Sequence, residues 1–205
     1  MENLILGFLT GGSLILAIGP QNLFVIEQGL KKNFVFTVTT ICAVSDILLI
    51  FIGIFIYQSF GIIRQEITIF LNVLLILFLI NFIREKFRDL GKKKQIKLNK
   101  AKDRKNIILK TLAFTYLNPH VYSDTVFILG NFSKNFTVAN KFYFALGGSL
   151  ASILFFYSLG YLASSFKKFV NKQKTWKYLN IFIITFMACL ILYIINDTFI
   201  TYYHT

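Results

Sequence analysis

Gly19-Pro20-Gln21-Asn22 and Asn118-Pro119-His120 each put a proline and an amide inside a long apolar run, ninety-nine residues apart. Proline has no backbone N–H and its ring clashes with the preceding turn, so a helix is expected to break at each place. In lipid such breaks persist only where the freed backbone groups are buried in protein or line a cavity. Two breaks at corresponding places in two half-chains point to the binding site of a transporter.

Working outward from these breaks, the apolar runs fall at about 4–27, 34–57, 62–83, 107–130, 142–164 and 179–200. Each is roughly 20 residues, the length of helix that crosses a hydrocarbon core of about 30 Å. Hydrophobic residues make up 56% of the chain and charged ones 15%, with a mean hydropathy of +0.64. A soluble domain carries about 25% charge, so the composition predicts an all-α integral membrane protein. Six transmembrane helices divide into an N-terminal repeat over 1–83 and a C-terminal repeat over 107–205, joined by a basic linker over 84–106. Three spans per half make the two repeats inverted in the membrane, each beginning with a broken helix. Glu2 and the lack of a basic n-region or cleavage site make the first run a span rather than a signal peptide.

Of the 22 Lys and Arg residues, 19 fall on one side of this arrangement. The positive-inside rule puts that side in the cytoplasm and both termini outside. The net charge of +13 therefore reads as topology plus contact of the basic linker with anionic lipid headgroups. No aromatic residues interleave the lysines, so nucleic acid is not an expected partner. Cys42 and Cys189 lie in apolar runs with no CxxC pairing, and neither a metal-ligand cluster nor a nucleophile–base set is present. No enzyme activity, metal or cofactor is expected.

Asp46 near the middle of the second run and Asp124 in the fourth are ionisable groups at membrane depth. Such groups are costly and point to function. No lysine or arginine is expected deep in any span, Lys110 being near enough to an end to snorkel. The counter-charge then arrives from outside the protein, as a proton or a cationic substrate. The competing reading is a protonated, hydrogen-bonded carboxyl that serves packing. Thr39 and Cys42 share a helical face with Asp46, suited to a cavity wall or to close packing. His120 and Asp124, four apart, form a pair that either holds a proton or is purely structural. Tyr122, Asn72, Asn81 and Asn180 read first as interhelical hydrogen-bonding groups. Gly7 and Gly11 form a Gly-x-x-x-Gly pattern that serves internal packing or a homo-oligomer.

Asn is a strong N-cap and proline is favoured at the first helical position, so Asn118-Pro119 reads as the start of a half-helix, and Gly19-Pro20 as another with a looser hinge. Exposed N–H groups at such starts attract anions.

The chain resembles the lysine exporter (LysE) family, nearest the branch that exports lysine and arginine. The resemblance is carried by Gly19-Pro20-Gln21-Asn22 with Gln28-Gly29-Leu30, by Ser45-Asp46, and by Leu117-Asn118-Pro119-His120-Val121-Tyr122 with Asp124-Thr125 and Leu129-Gly130. Phe144-Ala145-Leu146-Gly147, Ala151-Ser152 and Asn180 continue it. Ser123 and Leu154-Phe155 depart from it, where the family has an aliphatic residue and a tryptophan. The resemblance implies a bacterial inner-membrane amino-acid exporter. Together with the breaks and acids it gives a secondary transporter exporting basic L-amino acids. Exchange for protons is expected because proton and substrate cation compete for a carboxyl in a low-dielectric site. The breaks and acids, with which the resemblance agrees, give a substrate site of Gly19, Pro20, Gln21, Asn22, Asp46, Asn118, Pro119, His120, Tyr122 and Asp124. In it the half-helix starts, with Asn22 and Asn118, hold the substrate carboxylate, and Asp46 or Asp124 pairs with its side-chain cation. The rival readings are export of neutral amino acids by a member of the same family and a membrane-embedded redox relay.

Overall fold

The computed structural model describes residues 1–16, 19–56, 65–90, 100–166 and 173–203. Among them every element is helical: α1 (Glu2–Ile15), α2 (Pro20–Lys31), α3 (Val35–Ile56), α4 (Gln65–Leu90), α5 (Lys100–Tyr116), α6 (Pro119–Tyr122), a π turn (Ser123–Ile128), α7 (Leu129–Phe132), α8 (Val138–Ser165) and α9 (Gln173–Tyr203). By length and composition α3, α8 and the Lys177–Asn196 part of α9 are able to cross a membrane, and a fourth span is made if α1 and α2, bent by 82°, count as one. Much of the expected linker is helical, since Arg84–Leu90 ends α4 and residues 100–106 begin α5; residues 91–99 lie outside the described residues.

α8 is the axis of the packing. α1 and α2 lie along it, α3 packs on both α8 and the α5–α7 segment, and α4 packs on α9. Small residues make these approaches possible, because lipid supplies no hydrophobic drive between helices and van der Waals contact must replace it. A Cβ on Gly7 would stand 2.1 Å from the Phe144 carbonyl oxygen, and one on Gly147 would stand 2.0 Å from that of Leu4. Gly11 meets Gly148 in the same seam. The Gly-x-x-x-Gly pattern of α1 is thus used inside the chain. Polar groups join helices elsewhere: Asn72 on α4 donates to Thr198 on α9 at 2.9 Å, and Thr40 on α3 meets the Tyr157 hydroxyl at 2.8 Å.

One expectation needs correction. α4 continues beyond residue 83 to Leu90, which carries Lys86 inward until it is only 4% exposed and paired with Glu27 of α2. Lys86 is thus a cation buried inside the protein near a helix end, and Glu27 is a second buried acid beside Asp46, with Asp124 partly buried. Thr39 and Cys42 belong to the packing side of α3: Thr39 donates to the Val35 and Phe36 carbonyls and touches Gly160, while Cys42 lies in the main apolar core. Cys189 is exposed on α9, so the two thiols stay apart.

Candidate functional site

The first break is built by three neighbouring residues. α1 runs out at Ile15, leaving carbonyls with no partner further along the helix. Asn22 supplies one, its amide donating to the Ile15 carbonyl at 3.1 Å. Gly19 is extended (φ −114°, ψ 179°), Pro20 takes the first helical position, and no side chain caps the start of α2.

The second break is built differently. Asn118 is extended and its side-chain oxygen accepts from the His120 N–H at 3.2 Å, an N-cap with Pro119 at the first position. The Tyr122 hydroxyl reaches back across the break and donates to the Tyr116 carbonyl at 2.8 Å. After Tyr122 the helix widens into the π turn, with the Thr125 hydroxyl on the Val121 carbonyl. Gly53 of α3 lies against that turn; a Cβ there would be 2.5 Å from the Val126 Cα. The wide turn and the glycine are one device, and π bulges recur at functional sites.

Between the breaks lies a cavity of about 340 Å³. That is at the small end of the range of roughly 300–1,000 Å³ for small-molecule sites, suited to a metabolite. Of the ten residues expected in a site, Gly19, Pro20, Gln21, Asn22, Asp46, Asn118, His120 and Asp124 line it. Pro119 and Tyr122 do not; they shape the break behind the wall. Asp46 is 3% exposed and accepts from the Ser152 hydroxyl of α8 at 3.1 Å. Gln21 is buried too, and its amide nitrogen has no hydrogen-bond partner. Among the described residues neither Asp46 nor Asp124 forms a salt bridge; the ion pairs join Glu27 to Lys31 and Lys86, and Glu85 to Lys110.

His120 and Asp124 are not hydrogen-bonded to each other. The π turn starts between them at Ser123, and the His120 ring lies 6.2 Å from that of Tyr193, at 29°. Tyr193 and Leu190 of α9, Phe156 of α8, and Ser152 behind Asp46 also stand around the cavity. Of these four the sequence singled out only Ser152, and gave it no role. They are ordinary residues in long apolar helices, and only tertiary packing turns them inward. No group of three His, Cys, Asp or Glu side chains comes together among the described residues.

The description LysE type translocator matches residues 12–198, nearly all of the elements just described. The chain belongs to that family. LysE-type chains similar to it include an arginine exporter protein ArgO of Pectobacterium atrosepticum, 34% identical over 185 residues that cover 86% of this chain and 88% of that one. The lysine exporter LysE of Corynebacterium diphtheriae is 30% identical over 215 residues, covering 88% of this chain and 93% of that one. The ArgO of Photorhabdus laumondii is 30% identical over 191 residues, covering 91% and 92%. No solved structure shows a significant match. As a LysE-type translocator with apolar, span-length helices, the chain is a multi-pass membrane protein.

Proposed function

We propose that this LysE-type translocator exports the basic L-amino acids lysine and arginine across the bacterial inner membrane, in exchange for protons. The relatives named arginine exporter and lysine exporter point to the substrate class. The observation that carries the reading is the cavity itself, walled by Asp46 and Asp124 with no lysine or arginine among its lining residues. A buried carboxylate without a counter-ion is costly, so a cation is the natural occupant. The side-chain cation of the substrate and a proton compete for the same carboxylates, and that competition couples outward substrate movement to inward proton movement.

The two breaks have unequal parts in holding the other end of the substrate. Asn118 already caps the start at Pro119, whereas the start of α2 at Pro20 has no side-chain cap. First-turn N–H groups and the positive end of the helix dipole favour a carboxylate there. The unpartnered Gln21 amide nitrogen is a further donor beside it. Asn22, Tyr122 and Pro119 maintain the breaks, and His120 faces the substrate from the Tyr193 side.

The arrangement of spans belongs to the same proposal. Six spans form two inverted repeats, α1–α4 and α5–α9. Exchanging the halves turns the packing of the first span on α8 into that of the α5–α7 span on α3. It leaves the α3–α8 and α4–α9 pairings unchanged, and these are the pairings observed. With 19 of 22 basic residues on one side, both termini lie outside, and the basic linker meets anionic headgroups in the cytoplasm.

Counterflow in proteoliposomes loaded with lysine tests the substrate class. External radiolabelled arginine and lysine are expected to accumulate, and threonine, homoserine and leucine are not. Accumulation of the neutral amino acids alone would reassign the substrate.

A further inference from the structure

Towards the basic side of the cavity, the next helical turn on each wall carries a phenylalanine. Phe24 is four residues beyond Pro20 and Phe114 four before Asn118, and their rings meet at 4.8 Å. Phe78 and Phe82 of α4 close on Phe114 at 4.7 and 5.1 Å. One turn further on lies Glu27, 2% exposed, one of whose oxygens accepts from both Lys31 and Lys86. Its other oxygen is buried with no partner. The Lys86 ammonium also stands 5.0 Å from the centre of the Phe82 ring.

A buried ion pair contributes little to stability, because desolvation offsets most of its attraction. Its chemistry says more. A carboxylate and an aromatic face around an alkylammonium form a recognition site for a lysine side chain. Here the side chain it holds is the protein's own. The unpartnered Glu27 oxygen leaves acceptor capacity for a donor of a different shape, such as a guanidinium.

We propose that Glu27 and Phe82 form a cytoplasmic intake subsite for the side-chain cation of the transported amino acid, occupied by Lys86 as a tethered stand-in until substrate displaces it. The inference rests on the reading of the substrate as a basic amino acid. Replacing one cation by another keeps the buried carboxylate neutralised throughout, and Lys86, near the end of α4, has a stem long enough to snorkel outward. Parting of the Phe24–Phe114 contact then lets the substrate pass to Asp46. A neutral amino acid cannot displace Lys86, so selection for charge begins before the central cavity.

Initial uptake of radiolabelled arginine into inside-out membrane vesicles reads the cytoplasmic KM directly. With Lys86 on Glu27 about nine-tenths of the time, Lys86→Met lowers the apparent KM about tenfold by removing the competitor. Glu27→Gln raises it by a similar factor, and Lys86→Arg stays near wild type. The double variant Glu27→Gln/Lys86→Met follows Glu27→Gln, and it keeps the protein in the membrane because the two buried charges are replaced together and the remaining partner, Lys31, is part-exposed and reaches solvent. A Lys86→Met KM that is unchanged or raised, or a double variant with the wild-type KM, overturns the subsite. If Lys86→Met is lost from the membrane, the double variant decides. Wild-type vesicles that take up neither arginine nor lysine overturn the exporter reading itself, a result distinct from any change among the variants.

Discussion

Asp46 holds its carboxylate against a neutral donor, the Ser152 hydroxyl, and no ion pair reaches it or Asp124 among the described residues. Asp46→Asn and Asp124→Asn are each expected to cut lysine and arginine export by about ten- to a hundredfold, the loss of one charge-assisted contact worth roughly 1.5–3 kcal/mol. Ser152→Ala removes an orienting bond worth about 1 kcal/mol and is expected to cost about fivefold. Initial rates per unit of protein in the membrane measure all three; wild-type rates in both Asp variants would place the site elsewhere. Both acids were legible in the sequence, since a carboxylate in an apolar run stands out without knowledge of its neighbours. Tyr193 was not, because nothing local distinguishes it from the other aromatic residues of α9. Glu27 and Lys86 escaped for another reason: each sits near the end of a run, where charge is expected, and their pairing spans 59 residues.

The helix breaks were legible because proline and its capping neighbours act over three or four residues. Gly19 and Asn118 are extended, and Pro20 and Pro119 start helices, as that local chemistry requires. The π turn over Ser123–Ile128 was not legible. Gly53 of α3 packs against it, a tertiary contact with no sequence signature, and His120 and Asp124, which ordinary helical spacing brings together, share no hydrogen bond there. Gly53→Ala puts a Cβ into the Val126 backbone and is expected to cost about 1–3 kcal/mol of stability through overpacking, while slowing transport. Gly12→Ala is the control, since its nearest neighbour would be the Ala151 Cβ at an ordinary 3.8 Å. Thermal unfolding in detergent separates the two: a lower midpoint is expected for Gly53→Ala and none for Gly12→Ala. Equal midpoints would show that α3 accommodates the extra methyl.

At the scale of the whole molecule, the proposed topology joins the charge distribution to the direction of transport. In a background with Cys42 and Cys189 replaced by alanine, cysteines at Arg104 and Lys177 are expected to resist an impermeant thiol reagent in intact cells, and one at Lys134 to react. Labelling of Arg104 from outside would reverse the orientation. The central claim is that the cavity between the two breaks selects its substrate by positive charge, and arginine compared with citrulline tests it most directly. The two have nearly the same shape and differ in the charge of the side-chain terminus. Equilibrium binding to purified protein is expected to favour arginine by at least about tenfold in the wild type, matching one charge-assisted contact. The preference is expected to vanish in the Asp46→Asn/Asp124→Asn variant. Equal binding of arginine and citrulline to the wild type, or a preference that survives loss of both carboxylates, would contradict the account.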